Sequence, residues 1–273
     1  MPQRAPLRWP NGARIAVWVI PNIESFALDE QIAGGSGKVP DVPAWSVREY
    51  GARVGVFRIM DVLRRHGVRG TVALNADVCD AYPEVVAATV DLGWELMGHG
   101  VTNTRRLNAV DDEAAVVGEA FARIERATGT RPVGWLSPGL QETWNTLEHL
   151  VACGAEYVAD WAVDDQPLWM AAGRKRLVGV PYTLELNDKP AYERLARTPE
   201  EFGATIRRQF DVLYAEGASS ARVMAIALHP YLTGYPHRIG ALDDALRHVV
   251  AHDGVWLATG REIADAFRQV SPD

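Results

Sequence analysis

Three ionisable side chains stand where short apolar runs stop. Glu24 comes just after the run 15–20 and Pro21-Asn22-Ile23, His99 follows 94–97 between two glycines, and His229 closes Ala225-Ile226-Ala227-Leu228. A carboxylate and two imidazoles converging on one place suit hydrolysis by general acid–base catalysis. One group takes a proton from water and another gives one to the departing atom. Residues at similar boundaries complete the candidate set as substrate contacts: Asn22, Asn103, Trp135, Asp160, Trp161, Asp165 and His237.

Each has a plainer role open to it. Glu24 could cap a helix or pair at the surface, and His99 could be a neutral histidine satisfied by backbone. His229 could be a hydrogen-bonded core residue. Asn103 could cap a turn, and the 160–165 carboxylates fit helix-capping chemistry. Tryptophans at strand ends more often pack than bind. The remaining histidines fall in helical or outer-loop patterns, and His237 is singled out because it follows His229 closely.

The elements that must position these residues alternate short and long. Strands are expected at 14–20, 70–74, 94–97, 133–136, 157–160, within 176–181, at 223–228 and at 255–257. Helical patterns occupy 46–66, 82–92, 111–128, 143–153, 199–216, 242–251 and 261–270. Gly67 ends the first helix as a C′ glycine, and Pro83 sits in a first turn, where its missing N–H costs nothing. The rhythm predicts a parallel sheet covered by helices, closed as a (β/α) barrel in a single domain over 1–273. In such a barrel the chemistry gathers at the carboxyl ends of the strands, where the candidates lie. Two long loops, 21–45 and 160–175, suit lids or binding elements.

Bulk properties exclude other classes. The 273 residues are 48% hydrophobic and 23% charged, with net charge −7 and no basic block, so a nucleic-acid partner is not expected. The apolar run 15–20 is too short to span a membrane, and the polar, Pro-rich start offers no signal core. Cys79 and Cys153 lie far apart and read as reduced thiols, which together predicts a cytoplasmic protein. No G-x-G-x-x-G joins a strand to a helix and no Walker pattern occurs, so no cofactor is expected.

The ordered fragments Asn22-Ile23-Glu24-Ser25, His99-Gly100-Val101-Thr102-Asn103 and Leu228-His229-Pro230 resemble the motifs of the polysaccharide deacetylase superfamily, over about residues 14–260. The resemblance implies a distorted (β/α) barrel. It makes Glu24 the base and His229 the general acid. The family's motifs also carry a metal site of one Asp and two His. Here Ser25 and Asn103 stand at two of those places, leaving His99 alone, and Leu136 lies near the place of a usual Arg. Three protein ligands are the ordinary minimum for zinc, so no metal is expected.

Arg48-Glu49-Tyr50-Gly51, Gly93-Trp94-Glu95, Asn187-Asp188, His229-Pro230-Tyr231 and Gly234-Tyr235-Pro236 are similar to a metal-independent branch that includes bacterial allantoinase and cyclic imide hydrolase. That implies hydrolysis of a carbon–nitrogen bond in a small cyclic amide, imide or ureide, by a homo-oligomer. Two other readings stay open: a metal-dependent N-deacetylase of an acetylated sugar, and an inactive barrel that binds a sugar or heterocycle.

Overall fold

The computed structural model describes residues 5–271; the first four residues of the Pro-rich start and positions 272–273 lie outside the described residues. The described residues form nine strands: β1 (Ile15–Ile23), β2 (Thr71–Leu74), β3 (Glu95–Gly98), β4 (Gly134–Trp135), β5 (Tyr157–Val158), β6 (Leu168–Ala172), β7 (Lys175–Gly179), β8 (Arg222–Leu228) and β9 (Val255–Leu257). They run in the order β6-β7-β5-β4-β3-β2-β1-β8, with β9 on the first residues of β1. Every pairing is parallel except the β6–β7 hairpin. The sheet curls into the expected distorted barrel, and helices cover its outside. No helix among the described residues is long and apolar enough to cross a membrane.

The helices are α1 (Val42–Tyr50), α2 (Val56–Arg65), α3 (Val78–Ala81), α4 (Pro83–Asp91), α5 (Glu113–Thr128), α6 (Thr146–Ala152), α7 (Pro199–Glu216), α8 (Pro236–Val250) and α9 (Gly260–Val270). Helix α7 opens on a reciprocal cap between Thr198 and Glu201, with Pro199 in its first turn.

Strand parity explains how the site is built. In β1, Ile15, Val17 and Val19 pack toward the helices, whereas Ala16, Trp18 and Ile20 fill the barrel interior. Successive side chains of a strand point to opposite faces, so Asn22 and Glu24 continue the inward set. The same parity carries Met97 on to His99, and Ala225 and Ala227 on to His229.

The helix expected at 242–251 begins earlier, at Pro236, and three further features depart from the expected pattern. First, the helix expected at 46–66 begins at Val42, because Asp41 accepts the Ala44 amide as an N-cap. It passes through a π-helical turn at Gly51–Gly55 before continuing as α2. A Cβ on Gly51 would lie 2.5 Å from the Tyr231 nitrogen, and one on Gly55 would lie 2.2 Å from the Pro230 oxygen. The two glycines let the loop after β8 rest directly on helix backbone. Second, the loop expected at 160–175 contains β6, turned back on β7 around Gly173 (φ +60°). Its residues Leu168, Trp169 and Met170 are all half-buried, so it lacks the buried/exposed alternation that signals a strand.

Third, the ring of strands does not close: its order ends on β6 at one side and β8 at the other. Residues 180–187 fill the gap, touching β8 through one bridge, Asn187 to Ala227.

Candidate active site

A cavity of about 320 Å³ opens at the carboxyl ends of the strands, and Asn22, Glu24, His99, Asn103 and His229 all line it. Glu24 Oε1 lies 3.4 Å from His99 Nε2, and the Tyr231 hydroxyl donates to Oε2 across 3.4 Å. Lys189 Nζ donates to the Tyr231 oxygen at 3.1 Å, which aims a cation down this chain toward Glu24. Burial alone would push the Glu24 carboxyl up. The His99 hydrogen bond and the charges of His229, His99 and Lys189 outweigh that and hold it below the ordinary range.

His99 is fixed at its other nitrogen, where Nδ1 donates to the Leu136 carbonyl at 2.7 Å. Asn75 ties the neighbouring loops together. Its amide donates to the His99 carbonyl, and its oxygen accepts the Ser25 N–H at 3.0 Å.

His229 has a partner to which the sequence reading gave no role. Its Nδ1 donates to Asp188 Oδ1 at 2.7 Å, while Asp188 Oδ2 accepts the His229 N–H at 2.8 Å and the Thr233 hydroxyl at 2.6 Å. Asp188 has no exposure at all. The arrangement fixes one tautomer and leaves Nε2 as the nitrogen free to exchange a proton. Asp188 comes just after the bridge residue Asn187, outside any strand, so strand-end reasoning passed it by.

The other sequence candidates divide. Asn22 donates to the Ile20 and Leu228 carbonyls, each at 3.2 Å, and so spans β1 and β8 beneath the cavity. Asn103 is buried against the cavity, and its Oδ1 has no hydrogen-bond partner among the described residues. Asp160 holds the Ser137 turn, accepting its N–H at 2.6 Å and its hydroxyl at 2.7 Å. Burial and the neighbouring Glu142 carboxyl keep a proton on this pair of acids.

Trp135 is wholly buried, packed 5.5 Å from Phe121, and does not line the cavity. Trp161 lies exposed and donates to Glu142 at 3.2 Å. The Asp165 carbonyl accepts the Val223 amide at the amino end of β8, and its exposed side chain does not line the cavity. His237 is exposed on the first turn of α8, outside the cavity lining.

A metal of the kind held by two histidines and an aspartate does not fit these residues. Ser25 and Asn103 supply a neutral hydroxyl and a neutral amide, leaving His99 as the single ordinary zinc donor apart from the base. Among the described residues, a converging trio of His, Cys, Asp or Glu occurs instead on the outer surface, at Asp211, His248 and His252.

Residues 46–158 match the family model described as polysaccharide deacetylase. The crystal structure of PuuE allantoinase superposes with a TM-score of 0.90 at 28% identity, covering 100% of this chain and 96% of that one. A provisionally named polysaccharide deacetylase from Pseudomonas aeruginosa PAO1 superposes with a TM-score of 0.87 at 30% identity, over 100% and 97% of the two chains. A provisionally named polysaccharide deacetylase of Schizosaccharomyces pombe is 29% identical over 97% of this chain and 93% of its own. Fold and sequence agree. The chain belongs to the polysaccharide deacetylase family and is a hydrolase of carbon–nitrogen bonds.

Proposed function

We propose that the protein opens a small cyclic amide, imide or ureide by metal-independent general acid–base catalysis. The observation that carries the reading is the pairing of an ionised, buried Glu24 with a His229 held as an Nδ1–H donor by Asp188, where the metal ligand set is missing. Glu24 takes a proton from water as its oxygen attacks the ring carbonyl carbon. The negative charge moves onto the carbonyl oxygen, where the Asn103 amide is a donor that lines the cavity beside His99. The tetrahedral intermediate then collapses, the C–N bond breaks, and His229, keeping its Nδ1 proton on Asp188, gives a second proton from Nε2 to the departing nitrogen, returning to the neutral ring. A positioned acid–base pair contributes about 10²–10⁴ in rate, and oxyanion donors a similar amount.

A cyclic imide carbonyl is more electrophilic than a sugar acetamide and needs less Lewis-acid help. A cavity of about 320 Å³ sits at the small end of ligand sites and suits one ring with a short substituent. The likeness to a protein named as an allantoinase points the same way. The test is a panel of succinimide, dihydrouracil, hydantoins, allantoin and N-acetylglucosamine oligomers, each with and without chelator. Turnover of a ring substrate untouched by chelation is expected. Activity confined to the acetylated sugars, lost on chelation and restored by zinc, would overturn the reading.

A further inference from the structure

The cavity contains two guanidinium groups that the proposed chemistry leaves without a task. Arg106 and Arg194 line it together with Glu24 and His229, and among the described residues neither side chain forms an ion pair or hydrogen bond. The third cation, Lys189, is already engaged, 2.9 Å from Glu193 and 3.1 Å from the Tyr231 hydroxyl. The charged groups facing the cavity are therefore Glu24 and Glu193 against Lys189, Arg106 and Arg194, with Asp188 buried behind His229. One cation is in excess, in a chain whose net charge is −7.

Arg106 is half-buried, and the backbone is shaped around it. A Cβ on Gly139 would lie 1.9 Å from Arg106 Nη1 and 2.7 Å from Cζ, so the guanidinium rests on bare glycine backbone. Gly139 also has φ +63°, a conformation that other residues adopt at a cost. Its turn is anchored by the paired bonds from Ser137 to Asp160. A partly desolvated guanidinium without a counter-ion is a cost that an arriving anion recovers, and its planar fork matches a carboxylate.

We propose that Arg106, seated on Gly139, binds a carboxylate carried by the substrate, with Arg194 adding charge at the mouth. Resting on the ring-opening reading above, this makes the substrate a cyclic amide, imide or ureide with an acidic side arm. Leu140, Tyr182 and Leu184 offer the apolar surface for the ring between that arm and Glu24.

The subsite is tested first without turnover, by calorimetric titration of succinate and of neutral succinamide. Wild type should prefer succinate, R106Q should weaken it about ten-fold or more, and R106K should fall between, keeping charge but losing the fork. Circular dichroism checks that each variant folds. If wild type does not prefer succinate, or the preference survives R106Q, the subsite is wrong.

Turnover of hydantoin-5-acetate and hydantoin-5-acetamide then separates the two proposals. A preference for the acid, expressed in KM and collapsing in R106Q, supports both. Equal hydrolysis of acid and amide keeps the ring-opening reading and overturns the subsite. If neither ring opens, nor any ring of the earlier panel, the ring-opening reading fails. The succinate titrations then still decide whether Arg106 holds an anion.

Discussion

Asp188 and His229 form a fixed dyad in which one carboxylate makes four bonds to a single loop. Oδ1 takes the imidazole Nδ1–H at 2.7 Å, and Oδ2 takes the His229 amide and both the amide and the hydroxyl of Thr233. The same side chain sets the tautomer of the proposed acid and the path of the backbone that carries it. Asp188→Asn keeps the volume but removes the anionic acceptor for Nδ1–H, without which the ring cannot readily hold the second proton that Nε2 must donate. On a confirmed substrate kcat should fall by about 10²-fold or more with KM within a small factor, as for a group that acts only through the acid. A loss confined to KM would contradict this role.

The depressed Glu24 carboxyl fixes where activity fails in acid. The base works only when ionised, so rate is lost as pH falls through its folded value, which lies below the ordinary 4.5. The acid limb of kcat/KM should therefore centre below pH 4.5. By linkage, the same ionised carboxylate adds stability that is present above its unfolded value and lost as pH falls through the folded one. Lys189→Met removes one of the charges holding the value down and should move the acid limb upward. An acid limb above pH 5 that does not respond to this substitution would argue against Glu24 as the base.

Much of the site was legible in the sequence because parity and burial act locally. Glu24, His99 and His229 each end an apolar strand, and each continues an inward-facing row. Asp188 stood out only as part of the similar fragment Asn187-Asp188 and received no role, because the segment before it is not a strand. Only its packing across the open seam brings it to His229. Asp165 looked like part of the Asp160 loop, but its carbonyl accepts the Val223 amide in the first residues of β8, a contact between segments 58 residues apart that local pattern does not reveal. The task of Asp160 was equally invisible, since holding Ser137 depends on a contact 23 residues away.

The seat of the His229 loop can be probed through Gly55. Any side chain there meets the Pro230 carbonyl at 2.2 Å, so Gly55→Ala must push the loop or the helix aside. A cost of about 1–3 kcal/mol is expected, with a fall of several degrees in Tm and a lower kcat from displacement of His229. Gly118 is the control. It lies within α5 with open space around its Cβ position, so Gly118→Ala should be neutral or mildly stabilising. Equal melting temperatures for the two variants would mean that the glycine contact does not set the loop.

The division of labour between Glu24 and His229 is the sharpest test of the mechanism. Glu24→Gln keeps the shape and loses proton acceptance, and His229→Ala strips the proton donor from the departing nitrogen. Each should lower kcat by about 10²-fold or more while binding stays within a small factor. The double variant should be little worse than either single one, because residues acting on the same intermediate are not additive. Substrates whose leaving nitrogen is more acidic need less help to depart, so they should partly rescue His229→Ala. They should do nothing for Glu24→Gln, which fails earlier, at attack by water. The reverse pattern of rescue would exchange the two roles. Near-wild-type turnover in both variants would move the chemistry elsewhere on the barrel mouth.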